Sequence, residues 1–470
     1  MNTLEPNASA PGGSASSRIL LVASAGAFAS SLAASIVGVA LPKIGAWAGA
    51  GVLDVGWVML APLVAITAAL LPAGRAGDLW GHRRVYVSGV AIAAAGCVAS
   101  ALSPSFESLL AARALTGIGA AMCMATAPAL VSLSAPPGRR GRALGAVSTA
   151  VYLGLTVGPP LGGLIETTLG FRAVFWAQVA VFGAILVASV RWMPDLPRRP
   201  DAETGRFDAL AALLLGLALS GLMLAATRWD RWDLHATLAA GGGGLAAMAA
   251  FAVREARSSS PVLVLGLFRD RTFASAAAGA LLNYVSVLHA TFLLPFLLED
   301  GMGLPAREAG LVLVGMPLAM TLVTGTSGAL SDRLGSRVLS SAGMLISALA
   351  LCGLALAPGG LPIIVAWTCL LGVGAGVFIS PNTNALMSAA PPGKQGAAAG
   401  IMALARNAGM LVGTASAAAV FDAGRAVAAA GAADTGAAAG YGVRLACGVG
   451  ALIALVGAAV VLTRPASASR

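Results

Sequence analysis

Long apolar stretches, separated by short polar segments, run through almost the whole of this chain. Each stretch has about 20 residues, the length at which a helix crosses a hydrocarbon core of roughly 30 Å. Most lack the polar face that a helix of a soluble protein presents to water. The pattern predicts fourteen transmembrane helices, with a glycine run at 241–244 expected to interrupt the eighth. The predicted spans are 19–41, 55–73, 85–103, 108–133, 143–164, 173–192, 209–227, 235–253, 273–296, 308–327, 339–357, 362–387, 397–420 and 443–463.

Composition agrees with this pattern and excludes a soluble protein. Of 470 residues, 58% are hydrophobic and 10% are charged, whereas soluble proteins carry about 25% charged residues. The net charge is +10, but the arginines are divided among short loops and form no continuous basic face for a nucleic acid. A lipid bilayer with anionic head groups is the partner that this charge favours.

The distribution of positive charge predicts the orientation. With an even number of spans, both termini lie on one side, and that side holds 20 of the 29 Lys and Arg residues. The opposite side holds six, and three others lie within spans; Arg191, the next-to-last residue of the sixth span, is counted with the 20. Basic loops stay in the cytoplasm, so both termini are predicted to be cytoplasmic. The alanine- and arginine-rich composition is typical of a GC-rich bacterial genome, which places the chain in a bacterial inner membrane.

The remaining segments suggest no cofactor chemistry. Residues 1–18 and 464–470 are predicted to be cytoplasmic tails, the first of them disordered. The five cysteines fall in apolar spans without metal-ligand spacing, so they are interpreted as packing residues and no metal site is predicted. An enzyme would need a group of His, Cys or acidic residues within the bilayer, and the spans do not provide one.

Two loop sequences recur at nearly one offset. Gly74-Arg-Ala-Gly-Asp78-Leu-Trp-Gly81 follows the second span, and Gly328-Ala-Leu-Ser-Asp332-Arg-Leu-Gly335 follows the tenth, 254 residues later. Pro-Pro-Gly turns follow the fourth and twelfth spans at an offset of 255. This indicates a duplicated six-helix unit, in bundles at 19–192 and 273–463, with a two-helix insert and linkers at 193–272. Such repeats are typical of transporters, in which one repeat rocks against the other.

These motifs, in this order, resemble the major facilitator superfamily, and specifically its fourteen-span drug:proton antiporter family. The resemblance covers residues 18–463 and implies the major facilitator fold, an all-α polytopic membrane protein. Further matches are Arg113 in the fourth span, a glycine–proline motif in the fifth, Pro261 before the ninth, Ser380-Pro381 in the twelfth and Arg406-Asn407 in the thirteenth.

The resemblance implies roles for two motifs. The repeated loops would form a conformational latch that breaks and reforms during transport, although a plain topology anchor would also explain them. The motif of the fifth span would mark an exporter, although close helix packing alone would explain each glycine. The latch residues are Gly74, Asp78, Gly81, Arg83, Arg84, Asp332 and Arg337; the antiporter motif is Gly154, Gly158, Pro159, Gly162 and Gly163.

The chain departs from the family in its first span, where Ala33 stands at the usual acidic position and no span interior carries Asp or Glu. His289 is then the candidate proton carrier, because its pKa is ordinarily near 6.5; a neutral histidine hydrogen-bonded in the bundle is the alternative. Arg113 is predicted to line the cavity, or else to snorkel toward the head groups. Further candidates for the cavity are Asn283, Tyr284 and Arg406.

The predicted function is secondary active efflux, with protons exchanged for small amphipathic drugs or antibiotics. A positive Arg113 without an acidic partner favours neutral or anionic substrates. A dedicated exporter of one endogenous metabolite, antibiotic or lipid, with atypical or no proton coupling, is the alternative.

Overall fold

All regular structure in the described part of the chain is helical. The computed structural model describes residues 13–134, 140–194, 209–228, 233–257, 265–356, 360–391, 395–430 and 435–465. The helices are α1 (Gly13–Ala48), α2 (Val52–Trp80), α3 (His82–Ala101), α4 (Phe106–Ser134), α5 (Arg140–Leu169), α6 (Phe171–Trp192), α7 (Ala209–Arg228), α8 (Leu234–Arg257), α9 (Arg271–Thr291), α10 (Leu294–Phe296), α11 (Ala306–Leu313), α12 (Gly315–Leu334), α13 (Ser336–Leu356), α14 (Leu361–Ala389), α15 (Gln395–Ala430) and α16 (Thr435–Leu462).

The predicted spans coincide with these helices. The ninth span lies in α9 and α10, which a π-helical turn at Leu297–Gly301 continues, and the tenth lies across α11 and α12. Within the described residues, 11 helices are long and apolar enough to cross a membrane. Two others, α2 and α7, contain shorter apolar stretches, Asp54–Leu70 and Leu213–Leu222. The all-helical fold agrees with the sequence, and the count of fourteen spans stays a prediction.

Two local expectations were wrong. The glycine run at 241–244 does not interrupt α8, which is continuous from Leu234 to Arg257. Gly244 lies where α8 packs closely on α7, since a Cβ there would lie 2.8 Å from the backbone nitrogen of Leu222. In lipid a helix keeps its backbone hydrogen bonds satisfied, so glycines there are tolerated. The predicted disordered tail is also too long, since α1 begins at Gly13.

Helices α1–α6 form one half of the molecule and α9–α16 the other. We call the end that carries Gly81, Gly335 and the described termini the basic end, and the end that carries Lys43, Gly170 and Glu299 the opposite end. Near the opposite end, one large buried core combines apolar residues of both halves, from Ile36–Ile44 and Phe175 to Phe292–Phe296 and Leu313.

Near the basic end each half has a core of its own. Residues such as Ile19, Tyr86 and Leu130 form the first, whereas Phe273 and Leu386 belong to the second. The halves are therefore joined at the opposite end and have separate cores at the basic end. Helices α7 and α8 pack at the side, against α2 and α15.

The repeat offset is visible in the turns between helices. Gly81, between α2 and α3, has φ +97°, and Gly335, between α12 and α13, has φ +84°. Side chains rarely adopt these angles, so glycine is required. Each turn also donates its amide to an equivalent carbonyl, that of Gly77 in one half and that of Ser331 in the other. The backbone supports the duplication predicted from the two loop motifs.

Large apolar side chains cover much of the outer surface. On α7 and α8, Leu213, Leu217 and Leu245 are each more than half exposed, and Leu322 and Leu349 are equally exposed in the other half. Exposed apolar patches of this extent on a monomer indicate an interaction surface. Leu245, Leu322 and Leu349 lie on helices that are long and apolar enough to span a bilayer, so the surface they indicate is lipid.

Candidate substrate cleft and coupling residues

The glycines of the antiporter motif form the contact between α5 and α1. A Cβ at Gly154 would lie 2.9 Å from the backbone nitrogen of Leu32, and a Cβ at Gly162 would lie 2.6 Å from the carbonyl oxygen of Ile36. At Gly158, between them, a Cβ would overlap the hydroxyl of Ser35, which donates to the Gly154 carbonyl at 3.1 Å. These three glycines of the predicted motif therefore pack against another helix and not against lipid.

The second half repeats this contact between α15 and α9. A Cβ at Gly409 would lie 2.9 Å from the Cβ of Tyr284, and one at Gly413 would lie 2.9 Å from the Cβ of Leu288. Small residues at this spacing let backbones approach closely, which replaces the hydrophobic driving force that helices lack in lipid. The contact of α1 with α5 in the first half thus has an equivalent in the contact of α9 with α15 in the second.

Gly163 belongs to the same motif but contacts the other half. A Cβ at Gly163 would overlap the carbonyl oxygen of Ala306 at the start of α11. From α11, Gly310 approaches α5 equally closely, because a Cβ there would overlap the carbonyl of Pro159. Helix α5 therefore carries two glycine faces, one for its own half and one for the junction between halves. Sequence spacing did not separate these two faces.

Arg113 lies inside the first half, with 3% of its surface exposed. Its Nε donates to the carbonyl oxygen of Val58 on α2 at 3.2 Å, and its guanidinium lies 6.0 Å from the centre of the Phe175 ring on α6. Its Nη1 atom is buried and has no hydrogen-bond partner. Its role in coupling or substrate binding stays a prediction, but in this conformation the side chain points between helices of its own half.

His289 is fully buried between α9, α15 and α16. Its Nδ1 is 2.8 Å from the carbonyl oxygen of Val285, so that nitrogen must carry a proton. Its Nε2 is 3.4 Å from the hydroxyl of Ser416, which also lies 2.7 Å from the carbonyl of Val412. Because the hydroxyl donates its one proton to the Val412 carbonyl, it can accept from a protonated Nε2, whereas donation to a neutral Nε2 would require the hydroxyl to turn away from Val412.

Of the other candidates for the cavity, Tyr284 and Arg406 lie together and Asn283 lies apart. Tyr284 on α9 and Arg406 on α15 are hydrogen-bonded through their side chains, and both are partly exposed. Tyr284 lies in the second half of α9, and Arg406 lies in the first third of α15. Asn283 is 1% exposed and donates to the Met344 sulfur on α13 at 3.3 Å, inside its own half.

The latch residues are described only in part. Arg83 donates from Nη2 to the carbonyl oxygen of Val190 at 3.1 Å and from Nε to that of Met193 at 2.5 Å. These are among the last carbonyls of α6, which attract a cation. Arg84 is exposed. The side chains of Asp78 and Asp332 lie outside the described residues. The whole Pro-Pro-Gly turn at 136–138, the last two residues of the one at 391–393, and Pro261 lie outside them as well.

A group of charged residues from both halves lies at the opposite end. Glu299, in the π-helical turn that follows α10, lies within electrostatic reach of Lys43 on α1, Glu166 on α5 and its neighbour Asp300. Glu166 is 7% exposed, and one oxygen of Glu299 is buried without a hydrogen-bond partner. In the sequence these acids stand far apart in the chain, and no spacing pattern shows that they come close together.

The fold and its contacts define a class of protein: a polytopic all-helical membrane protein built from two packed helical halves. The sequence profile of the Major Facilitator Superfamily matches residues 23–414 and 276–470. The chain belongs to this superfamily.

Curated relatives are transporters of small molecules. The chain is 29% identical over 401 residues to the "Riboflavin transporter RibZ" of Clostridioides difficile, covering 84% of this chain and 86% of that protein. It is 31% identical over 401 residues to the "Tetracenomycin C resistance and export protein" of Streptomyces glaucescens, covering 84% and 74%. Among solved structures, a bacterial homologue of the lysosomal transporter Spinster superposes with a TM-score of 0.69 at 15% identity, covering 97% of each chain.

Proposed function

We propose that this chain is a proton-driven exporter of small amphipathic molecules, with fourteen spans and both termini in the cytoplasm of a bacterial cell. The observation that carries the proposal is the arrangement of the cores. One core joins the halves at the opposite end, whereas separate cores lie at the basic end. If the basic loops are cytoplasmic, the cleft between the halves opens to the cytoplasm, where an exporter collects its substrate.

The glycine contacts support alternating access. Tight pairs within each half, α1 with α5 and α9 with α15, let each half move as a rigid body. The α5–α11 contact at Gly163 and Gly310 would separate when the opposite end opens. The turns at Gly81 and Gly335, with Asp78 and Asp332 beside them in the sequence, would form the latch that closes the basic end in that state.

A transport assay in inverted vesicles tests the function. The probes are riboflavin and tetracenomycin C, the compounds in the names of the two relatives. We expect ATP-driven acidification of the vesicle lumen to drive accumulation of at least one probe, and nigericin to abolish it by exchanging protons for potassium. Uptake that persists after nigericin would contradict proton coupling. No uptake of either probe above that of empty vesicles would contradict export of these classes.

The similarity to a riboflavin transporter favours the alternative of a dedicated exporter of one metabolite. The same assay separates the two functions through its competitors. A broad exporter should be inhibited by several unrelated amphiphiles. A dedicated one should accumulate a single probe, with no competition from unrelated compounds.

We expect His289→Gln to uncouple transport from the proton gradient. Glutamine keeps a hydrogen-bonding group near Ser416 but cannot titrate. Accumulation driven by the gradient should fall about tenfold or more, in the range expected for loss of a positioned acid–base group, while exchange without a gradient continues. The measurement compares both rates in the same proteoliposomes.

Ser416→Ala is the matched control for His289→Gln, because it removes the hydroxyl 3.4 Å from the imidazole and leaves the titrating group. It should shift the pH dependence of transport without eliminating coupling. Wild-type accumulation by His289→Gln would show that the histidine is a neutral, hydrogen-bonded residue of the bundle.

A further inference from the structure

The first half contains a buried site with hydrogen-bond donors and too few acceptors. Arg113 on α4 and Gln178 on α6 are 3% and 1% exposed. The Nη1 atom of Arg113 and the Nε2 atom of Gln178 are both buried without a partner. Each such donor has lost its hydrogen bonds to water and gained none in return, which is unfavourable for a neutral amide and more so for a charged guanidinium. Two of them in one bundle point to an acceptor that the described residues do not provide.

Three contacts bring the two donors to the same place. The Arg113 guanidinium lies 6.0 Å from the ring of Phe175, which is one helical turn from Gln178 on α6. Cys97 on α3 lies 3.5 Å from the Gln178 side-chain oxygen, and it is also the electrostatic neighbour of Arg113. Arg113, Gln178 and Cys97 therefore lie near one another where α3, α4 and α6 pack together, and the Val58 carbonyl of α2 binds the Nε side of the guanidinium.

The charge at this site is unbalanced. Within the part of the chain that the structure describes, the titratable group within electrostatic reach of Arg113 is the thiol of Cys97, and no carboxylate lies within that reach. Ala33, in the place where an acid would stand, is buried in the same core as Cys97. An arginine cannot lose its proton to relieve the imbalance, so a buried counter-ion is the remaining means of neutralisation.

We propose that a small monovalent anion of halide size binds between Arg113 and Gln178 as a structural counter-ion. Chloride accepts hydrogen bonds from the guanidinium and the amide and brings one negative charge to one positive charge. Arg113 is seven residues from the start of α4 at Phe106, about 10 Å along the helix. The ion would enter from the opposite end, independently of the substrate cleft and of the transport function proposed above.

Binding is measured on the full-length protein in nanodiscs with radioactive chloride. We expect saturable binding of about one chloride per chain, displaced by bromide and not by gluconate, which is too large for the site. Chloride should also raise Tm by about 2 °C over gluconate at equal ionic strength, because a ligand that binds only the folded state stabilises it.

Two variants make the site specific. Arg113→Met removes the charge with little change in volume, so the chloride-dependent rise in Tm and the bound chloride should both disappear. Cys97→Asp places a carboxylate beside both donors, so it should replace the ion, raising Tm in gluconate and eliminating the chloride response. Arg172→Met is the control: Arg172 is exposed near the same end, where it donates to the Ser103 carbonyl, and its loss should leave chloride binding unchanged.

Equal Tm values in chloride and gluconate, with no saturable chloride, would overturn the proposal and leave water as the occupant. Chloride binding that survives both Arg113→Met and Cys97→Asp would overturn it as well, because the ion would then bind elsewhere. If Arg113→Met does not fold, the result rests on Cys97→Asp, which retains the arginine and its hydrogen bond to Val58.

Discussion

Replacing Gly163 with leucine is expected to stop export while leaving the protein inserted in the membrane. The side chain would enter the contact between α5 and α11, where even a Cβ overlaps the Ala306 carbonyl. Backbone atoms cannot move aside as a side chain can, so the overpacking should cost at least about 1–3 kcal/mol. The cost falls only on the conformation that is closed at the opposite end, since this contact joins the two halves.

A cost confined to one conformation shifts the populations of the transport cycle. About 3 kcal/mol changes the ratio of the two states by roughly 150-fold, enough to make the closed state rare if the two states are otherwise similar. We therefore expect vesicle uptake to fall at least tenfold. A cysteine at Leu304, in a background without native cysteines, should become more reactive to an impermeant thiol reagent added at the opposite end.

Gly183→Leu is the matched control for this experiment. Gly183 lies in α6, and a Cβ there meets no atom within 4 Å, so a leucine should fit without loss of transport. Membrane abundance of both variants is measured by quantitative blotting. Wild-type uptake by Gly163→Leu, or unchanged labelling of the cysteine at 304, would show that the two halves do not separate at this contact.

Gly158 differs from Gly163 in a way that the motif does not reveal. Its Cβ would overlap the Ser35 hydroxyl on α1, within the same half. A leucine there would strain every conformation equally, so it would lower stability more than it would shift the cycle. The sequence identifies both glycines by one motif, but only the packing of α5 between α1 and α11 shows which of them lies at the junction between the halves.

Much of the fold could be predicted because the bilayer makes sequence and structure correspond closely. A helix in lipid must be about 20 apolar residues long, so apolar runs identified the helices. The paired turns at Gly81 and Gly335 followed from two copies of one motif. The glycine run in α8 was misinterpreted because a propensity measured in water was applied to a helix beside α7, where small residues favour close packing.

The orientation of polar side chains could not be predicted in the same way. Arg113 and Arg406 look alike in sequence, since both are single arginines within apolar spans. Arg113 points between helices of its own half, and Arg406 meets Tyr284 between α9 and α15. Which face a residue occupies depends on helix rotation about its axis, and a helix that is apolar all round provides no pattern from which to read that rotation.

The charge of the preferred substrate should depend on Arg406. We propose that Arg406 and Tyr284, partly exposed, line the cleft, and the sequence places no Asp or Glu in a span interior to neutralise the arginine. At an effective dielectric constant of 20, two unit charges about 8 Å apart interact by about 2 kcal/mol. Solvent in an open cleft reduces this, so a preference of about tenfold for neutral or anionic compounds over matched cations is expected.

The measurement is uptake of a matched series of cationic, neutral and anionic amphiphiles of one scaffold into inverted vesicles. In Arg406→Gln the discrimination against cations should fall to about twofold or less, because the charge is lost while a hydrogen-bonding group remains beside Tyr284. Arg444→Gln is the control, since Arg444 donates to the Ala355 carbonyl near the opposite end and should leave the preference unchanged. Arg113→Gln should also retain it, because that charge is buried within the first half.

Strong export of permanent dications by the parent protein would contradict a cationic cleft. A preference lost in Arg113→Gln and retained in Arg406→Gln would place the selective charge at Arg113 instead.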